Sequence, residues 1–128
     1  MKKLLPLLLL SCSALADTLI SFDYADGRGN LYHISPGLLK YEPVTPNESS
    51  SGIYSGGLPV TKILSPEDYH SLIVRIQTAI QNKVIQIDQN LMGSGMIEFY
   101  DNNQKTTVLL RQNAKEKQAL ELFLKTLR

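Results

Sequence analysis

Beyond the first sixteen residues, apolar and polar residues alternate with a period of two. Residues 18–24 place Ile20, Phe22 and Tyr24 on one side and polar side chains on the other. Such alternation predicts a strand with one buried face. The same pattern predicts strands at 31–35, 38–42, 60–64, 96–100 and 106–111, whereas the run 84–88 is too short to assign. Glycine- and asparagine-rich turns, 26–30 first among them, join neighbouring strands as hairpins.

Two other segments have apolar residues at helical spacing. The first begins at Ser65, whose hydroxyl is suited to cap free N–H groups, and Pro66 suits the first helical position. Its apolar stripe consists of Tyr69, Leu72, Ile73, Ile76 and Ile80, and Asn82 is its predicted end. The second begins at Asn113 and has the apolar stripe Leu120, Phe123, Leu124 and Leu127. Burying each of these side chains contributes about 1.5–3 kcal/mol, so we expect the second helix to pack against the core.

The order of these elements predicts the fold class. Strands come first, followed by a long loop, a helix, a hairpin and a second helix, and no helix connects each strand to the next. We therefore expect an α+β fold, with an antiparallel sheet of about five to six strands and two amphipathic helices packed on one face.

The long loop, residues 43–59, is the candidate binding surface. It exceeds the roughly 12–15 residues beyond which loops in compact domains are usually functional or disordered. Glycines bring backbone amides close to a partner, serines offer adaptable hydrogen bonds, and tyrosine adds contact area at little entropic cost. The candidate residues are Ser51, Tyr54, Ser55, Gly56 and Gly57. The alternative is structural: Ile53 and Tyr54 close over the sheet edge while the glycines bend the chain.

The first sixteen residues have the order of a bacterial signal peptide. Two lysines precede an apolar run at 4–10, and small residues at Ala14 and Ala16 precede Asp17. The run is too short for a membrane span, so no transmembrane helix is expected. This pattern predicts a leader, 1–16, and one exported periplasmic or secreted domain, 17–128. Alternatively, the segment ending at Cys12 resembles a lipobox, and lipidation at Cys12 would anchor the domain to a membrane.

The charge balance argues against a nucleic-acid partner. The whole chain has 13 basic and 12 acidic side chains, and loss of Lys2 and Lys3 with the leader leaves 11 against 12, a net charge of −1. Basic residues concentrate only in the last helix, at Lys115, Lys117, Lys125 and Arg128, where acidic residues interrupt them. We interpret them as a solvated helix face rather than the basic stripe of a nucleic-acid binder.

The sequence assigns no catalytic residue, metal site or cofactor. The loop lacks the Gly-Lys pair of a phosphate-binding loop, and one Glu67–His70 spacing does not make a di-metal centre. The leading hypothesis is a non-enzymatic module that binds a protein or cell-envelope component. The alternatives are a small hydrolase, using Ser55 with a histidine or the Glu67/His70 pair, and a structural lipoprotein anchored at Cys12.

Overall fold

The computed structural model of the protein describes residues 20–48, 51–53 and 55–128. The predicted leader 1–16, the lipidation site Cys12 and the loop residue Tyr54 lie outside the described residues. The predictions made for them therefore stay predictions.

The described chain forms a seven-stranded antiparallel sheet and two α-helices. The strands are β1 Ile20–Ala25, β2 Leu31–Ser35, β3 Leu38–Glu42, β4 Val60–Ile63, β5 Gln86–Ile87, β6 Gly95–Asp101 and β7 Gln104–Leu110. The helices are α1 Pro66–Gln81 and α2 Lys115–Leu127, with a short 3-10 helix at Lys83–Ile85. The strand order across the sheet is β4-β3-β2-β1-β6-β7-β5.

This architecture confirms the predicted α+β class, with a strand count slightly above five to six. The additional strand is β5, two residues long, in the segment that sequence left unassigned. Its Gln86 side chain donates hydrogen bonds to the carbonyls of Ala79 and Ile80, at 2.9 and 2.8 Å. These contacts with the end of α1 hold the segment in place, and no local periodicity encodes them.

The core lies between the helices and the face of the sheet that carries the alternating apolar residues. Phe22 at the centre of β1 lies opposite Ile34 on β2 and Phe99 on β6. Leu72 of α1 and Leu124 of α2 are fully buried in the same cluster. The opposite face of the sheet is mainly polar, because the pleat sends every second side chain away from the core.

The start of α1 is as predicted and the start of α2 is not. Ser65 Oγ accepts a hydrogen bond from the Asp68 amide at 3.1 Å, and Pro66 occupies the first turn. Helix α2 begins at Lys115 rather than at Asn113, because a turn comes first, in which the Ala114 amide donates to the Arg111 carbonyl at 3.1 Å. Ala114 is the N-cap and makes no side-chain capping bond.

Neither α1 nor α2 combines the length and the apolar content that crossing a bilayer requires, and this holds for all the described residues.

Candidate functional site: a groove between the long loop and helix α2

The end of the long loop is fixed to the sheet through Gly56. The Gly56 carbonyl accepts a hydrogen bond from the Tyr41 hydroxyl at 2.6 Å. The Gly56 amide donates to the carbonyl of Val44, at the start of the same loop, at 3.1 Å. Both backbone groups of Gly56 are thus used inside the protein, and they are not available to a partner.

The start of the loop is fixed to the turn between β1 and β2 by Asn30, which is 3% exposed. The Asn30 Oδ1 atom accepts a hydrogen bond from the Val44 amide at 2.9 Å. Its Nδ2 atom donates to Asp26 Oδ2 at 2.7 Å. Burial of an amide side chain is favourable only when its donors and acceptors are satisfied, so this network defines one conformation of the loop base.

The glycine at position 56 is required by space. A Cβ atom there would lie 1.9 Å from Asn30 Oδ1 and 2.9 Å from Pro43 Cβ, far inside contact distance. Gly56 therefore serves the close approach of the loop to the sheet. The sequence-based interpretation, in which glycine amides face a partner, does not hold for this residue.

The loop and α2 are the two walls of a groove of about 690 Å³. Ser55 and Gly56 lie on the loop side, Tyr32 and Tyr41 contribute from the sheet, and the β1–β2 turn closes one end. Helix α2 and the residues before it supply the opposite wall: Gln112, Asn113, Lys117, Gln118, Glu121, Leu122, Lys125 and Arg128. A volume of this order suits a ligand of several functional groups, or a short segment of a larger partner.

A partly buried charge cluster supports the wall made by α2. Lys117 is 5% exposed, and its Nζ atom lies 2.7 Å from Glu121 Oε2, one helical turn away. The Tyr24 hydroxyl donates to the same carboxylate oxygen. Burial, and then the hydrogen bond to Glu121, raises the pKa of Tyr24 well above its ordinary value, so Tyr24 stays a neutral donor. The interpretation of the basic α2 residues as a solvated face is therefore wrong for Lys117.

Arg128, directly after α2, lines the groove and contacts the sheet. Its guanidinium carbon lies 4.1 Å from the centroid of the Tyr41 ring, within the range of a cation–π interaction. Its Nε atom is buried and has no hydrogen-bond partner among the described residues. Burial raises the pKa of Tyr32 to about 12, although the neighbouring Arg128 charge opposes the rise. Tyr32 therefore also stays neutral at physiological pH.

The predicted loop residues are distributed over different environments. Ser55 and Gly56 line the groove, whereas Ser51 is exposed and accepts a hydrogen bond from the Ile53 amide at 3.4 Å. Gly57 is exposed, and its amide donates to Ser55 Oγ at 3.2 Å. Ile53 is 84% exposed, so this side chain does not close over the sheet.

Neither histidine lies beside Ser55, as one form of the hydrolase alternative required. His33 lies on the face of the sheet opposite the helices, where its Nδ1 atom is 2.8 Å from Asp23 Oδ1 and its Nε2 atom 3.2 Å from Glu42 Oε2. His70 and Glu67 are exposed on the first turns of α1, and neither lines the groove beside Ser55. Within the described residues, no group of three or more histidine, cysteine or acidic side chains could hold a metal ion.

Comparisons with known protein families, with curated proteins and with solved structures found no match.

The groove residues of α2 were not predicted from the sequence. A signal was present, because Lys117 and Glu121 lie in the helical phase of the buried Leu120 and Leu124. A charged pair in the apolar stripe of a helix indicates a buried ion pair, since an isolated buried charge is costly. The position of Arg128 over Tyr41 had no comparable signal, because it depends on how the helix packs on the sheet.

Proposed function

We propose that this protein is a small exported, non-enzymatic binding module whose ligand occupies the groove between the 43–59 loop and α2. The partner is a protein or cell-envelope component that presents a segment small enough to enter the groove. The loop residue Ser55 and the exposed α2 residues on the facing wall make the contacts.

The observation that carries the proposal is the fixed geometry of the groove walls. Hydrogen bonds through Asn30 and Gly56 hold the loop base, and the Lys117–Glu121–Tyr24 cluster holds α2. Pre-organised walls lower the entropic cost of binding, because the site does not need to be ordered when the ligand arrives.

Photo-crosslinking from both walls tests the proposal. Benzoylphenylalanine at Ser55 and, separately, at Leu122 should capture the same partner from the cell envelope. The control position is Val74 on α1, which is also an exposed apolar helix residue but lies outside the groove. Capture of one shared partner from both walls, and not from Val74, is expected. No shared partner, or equal capture from Val74, would contradict the groove as the binding site.

Export is a separate part of the proposal and has its own measurement. Expression of the full chain in a bacterial host, followed by mass spectrometry of the exported protein, should give a mature N-terminus at Asp17. An N-terminus at an acylated Cys12 would instead favour the membrane-anchored lipoprotein. Retention of the unprocessed chain in the cytoplasm would contradict export altogether.

A further inference from the structure

We infer that the ligand of this groove carries an oxyanion, a carboxylate or a phosphate group, and that Arg28, Lys125 and Arg128 bind it. The inference rests on the proposed function and adds the chemical class of the ligand. It follows from which charges of the groove are already compensated inside the protein and which are not.

The acidic side chains of the groove are occupied by internal donors. Asp26 accepts hydrogen bonds from the Arg28 amide at 2.8 Å and from the Asn30 side chain at 2.7 Å. Glu121 accepts from Tyr24 and from Lys117. Neither carboxylate therefore requires a cation from the ligand.

Three of the basic side chains of the groove are not paired with an acidic side chain, although Arg128 lies over the Tyr41 ring. Arg28, Lys125 and Arg128 line the groove, and none forms an ion pair with an acidic side chain of the described residues. The groove has four basic against two acidic side chains, an excess of two positive charges, although the whole chain carries only +1. Clustered positive charge in a concave site raises the local concentration of anions.

Arg128 also has the donor geometry that an oxyanion requires. An arginine offers its donors in a planar fork that matches the two oxygens of a carboxylate or phosphate. An oxyanion at the terminal Nη atoms of Arg128 would neutralise its charge.

The dipole of α2 does not account for these charges. The C-terminal end of a helix carries about half a negative charge, which favours nearby cations such as Lys125 and Arg128. The three full positive charges exceed this half charge, and Arg28 lies on the β1–β2 turn rather than on the helix. An anionic ligand remains the complement of the groove.

Titration calorimetry with two anionic probes at low ionic strength tests the inference. Citrate presents carboxylates, pyrophosphate presents phosphates, and trimethyl citrate is the neutral control for the first. The test variant is Arg28→Gln/Lys125→Gln, which removes two exposed charges. The matched control is Lys115→Gln, an exposed lysine of the same helix that lies outside the groove.

We expect at least one probe to bind the wild-type protein, more weakly at higher salt, and trimethyl citrate not to bind. The double variant should lose about tenfold in affinity or more, and Lys115→Gln should change it by less than about twofold. Lys125→Gln alone should show part of the loss if the double variant is unstable. The relative affinity for citrate and pyrophosphate identifies the preferred oxyanion.

Absence of binding by both probes, or an equal loss in Lys115→Gln, would overturn the inference. This failure is distinct from failure of the proposed function. If crosslinking from Ser55 and Leu122 still captures one partner, the groove remains a binding site and only the ligand class is wrong. If the anions bind but the crosslinks share no partner, the anion site is supported and the proposed partner-binding function is wrong.

Discussion

At the scale of single residues, the shape of the groove depends on two residues that hold the base of the loop against the sheet. Gly56 contributes by the absence of a Cβ atom, because the Asn30 oxygen occupies that space. Asn30 joins the β1–β2 turn to the loop, because its side chain donates a hydrogen bond to Asp26 and accepts one from the Val44 amide. Substitutions at these two closely packed positions should therefore affect folding stability, whereas substitutions at the exposed groove residues should affect binding alone.

Gly56→Ala should destabilise the protein by about 1–3 kcal/mol, because the new methyl group displaces Asn30 or the loop. Chemical denaturation measures the change in the free energy of unfolding. Ser55→Ala is the matched control, since Ser55 is adjacent and exposed, and its effect should stay within about 0.5 kcal/mol. Equal effects of the two substitutions would show that the loop base is not packed as described.

His33 should make the stability depend on pH. Burial lowers its pKa, but the hydrogen bonds and charges of Asp23 and Glu42 outweigh this, and the net shift is upward. A pKa raised in the folded state means that folding favours proton binding. The resulting stabilisation is complete below the unfolded pKa of about 6.5 and is lost as pH rises through the higher folded value.

The measurement is the free energy of unfolding between about pH 5.5 and about pH 8.5 for wild type and His33→Gln. Relative to the variant, wild type should lose stability as the pH rises. The loss should be less than about 1 kcal/mol, because the His33 side chain is 37% exposed and solvent screens its interaction with Asp23. His70→Gln, at an exposed position on α1, should retain the wild-type dependence. An opposite slope, or the same dependence in His33→Gln, would exclude His33 as the source.

At the scale of elements, the most local signals were the most informative. The strands β2 and β3 have the predicted bounds because an alternating run between two turns needs no distant information. The start of α1 follows equally from Ser65 and Pro66. The short strand β5 and the start of α2 were not predicted, because they depend on tertiary hydrogen bonds from Gln86 and on the turn at 111–114.

Helix α1 offers a direct check of a local signal. Ser65→Ala removes the acceptor of the Asp68 amide and should cost about 1 kcal/mol in the free energy of unfolding. Ser71→Ala, within the same helix, is the control and should be neutral or slightly stabilising, since alanine has the higher helix propensity. If Ser71→Ala were the more harmful of the two, the cap would not be the stabilising feature.

The candidate site shows the same division between local and tertiary information. Ser55 and Gly56 could be selected from composition and loop length, and both line the groove. The facing wall could not be predicted in this way, because Lys125 and Arg128 have the sequence pattern of an ordinary basic helix end. Only the packing of α2 across the sheet brings them into one groove with the loop and Arg28.

At the scale of the whole molecule, the sheet separates two surfaces of different character. One side holds the core, the helices and the groove with its positive excess. The other is an open, mainly polar sheet face on which His33, Lys40 and Glu98 take part in ion pairs. Charges that are paired within a surface have little remaining attraction for a ligand, so the account places binding on the helix side.

The most direct test of this claim is a titration of the isotopically labelled protein with citrate or pyrophosphate, whichever binds more tightly, followed by amide chemical shifts in NMR spectra. We expect the shifted amides to cluster around the groove, at Arg28, Ser55, Gln118 and Lys125. Shifts confined to the opposite sheet face, at His33, Lys40 and Thr107, would contradict it.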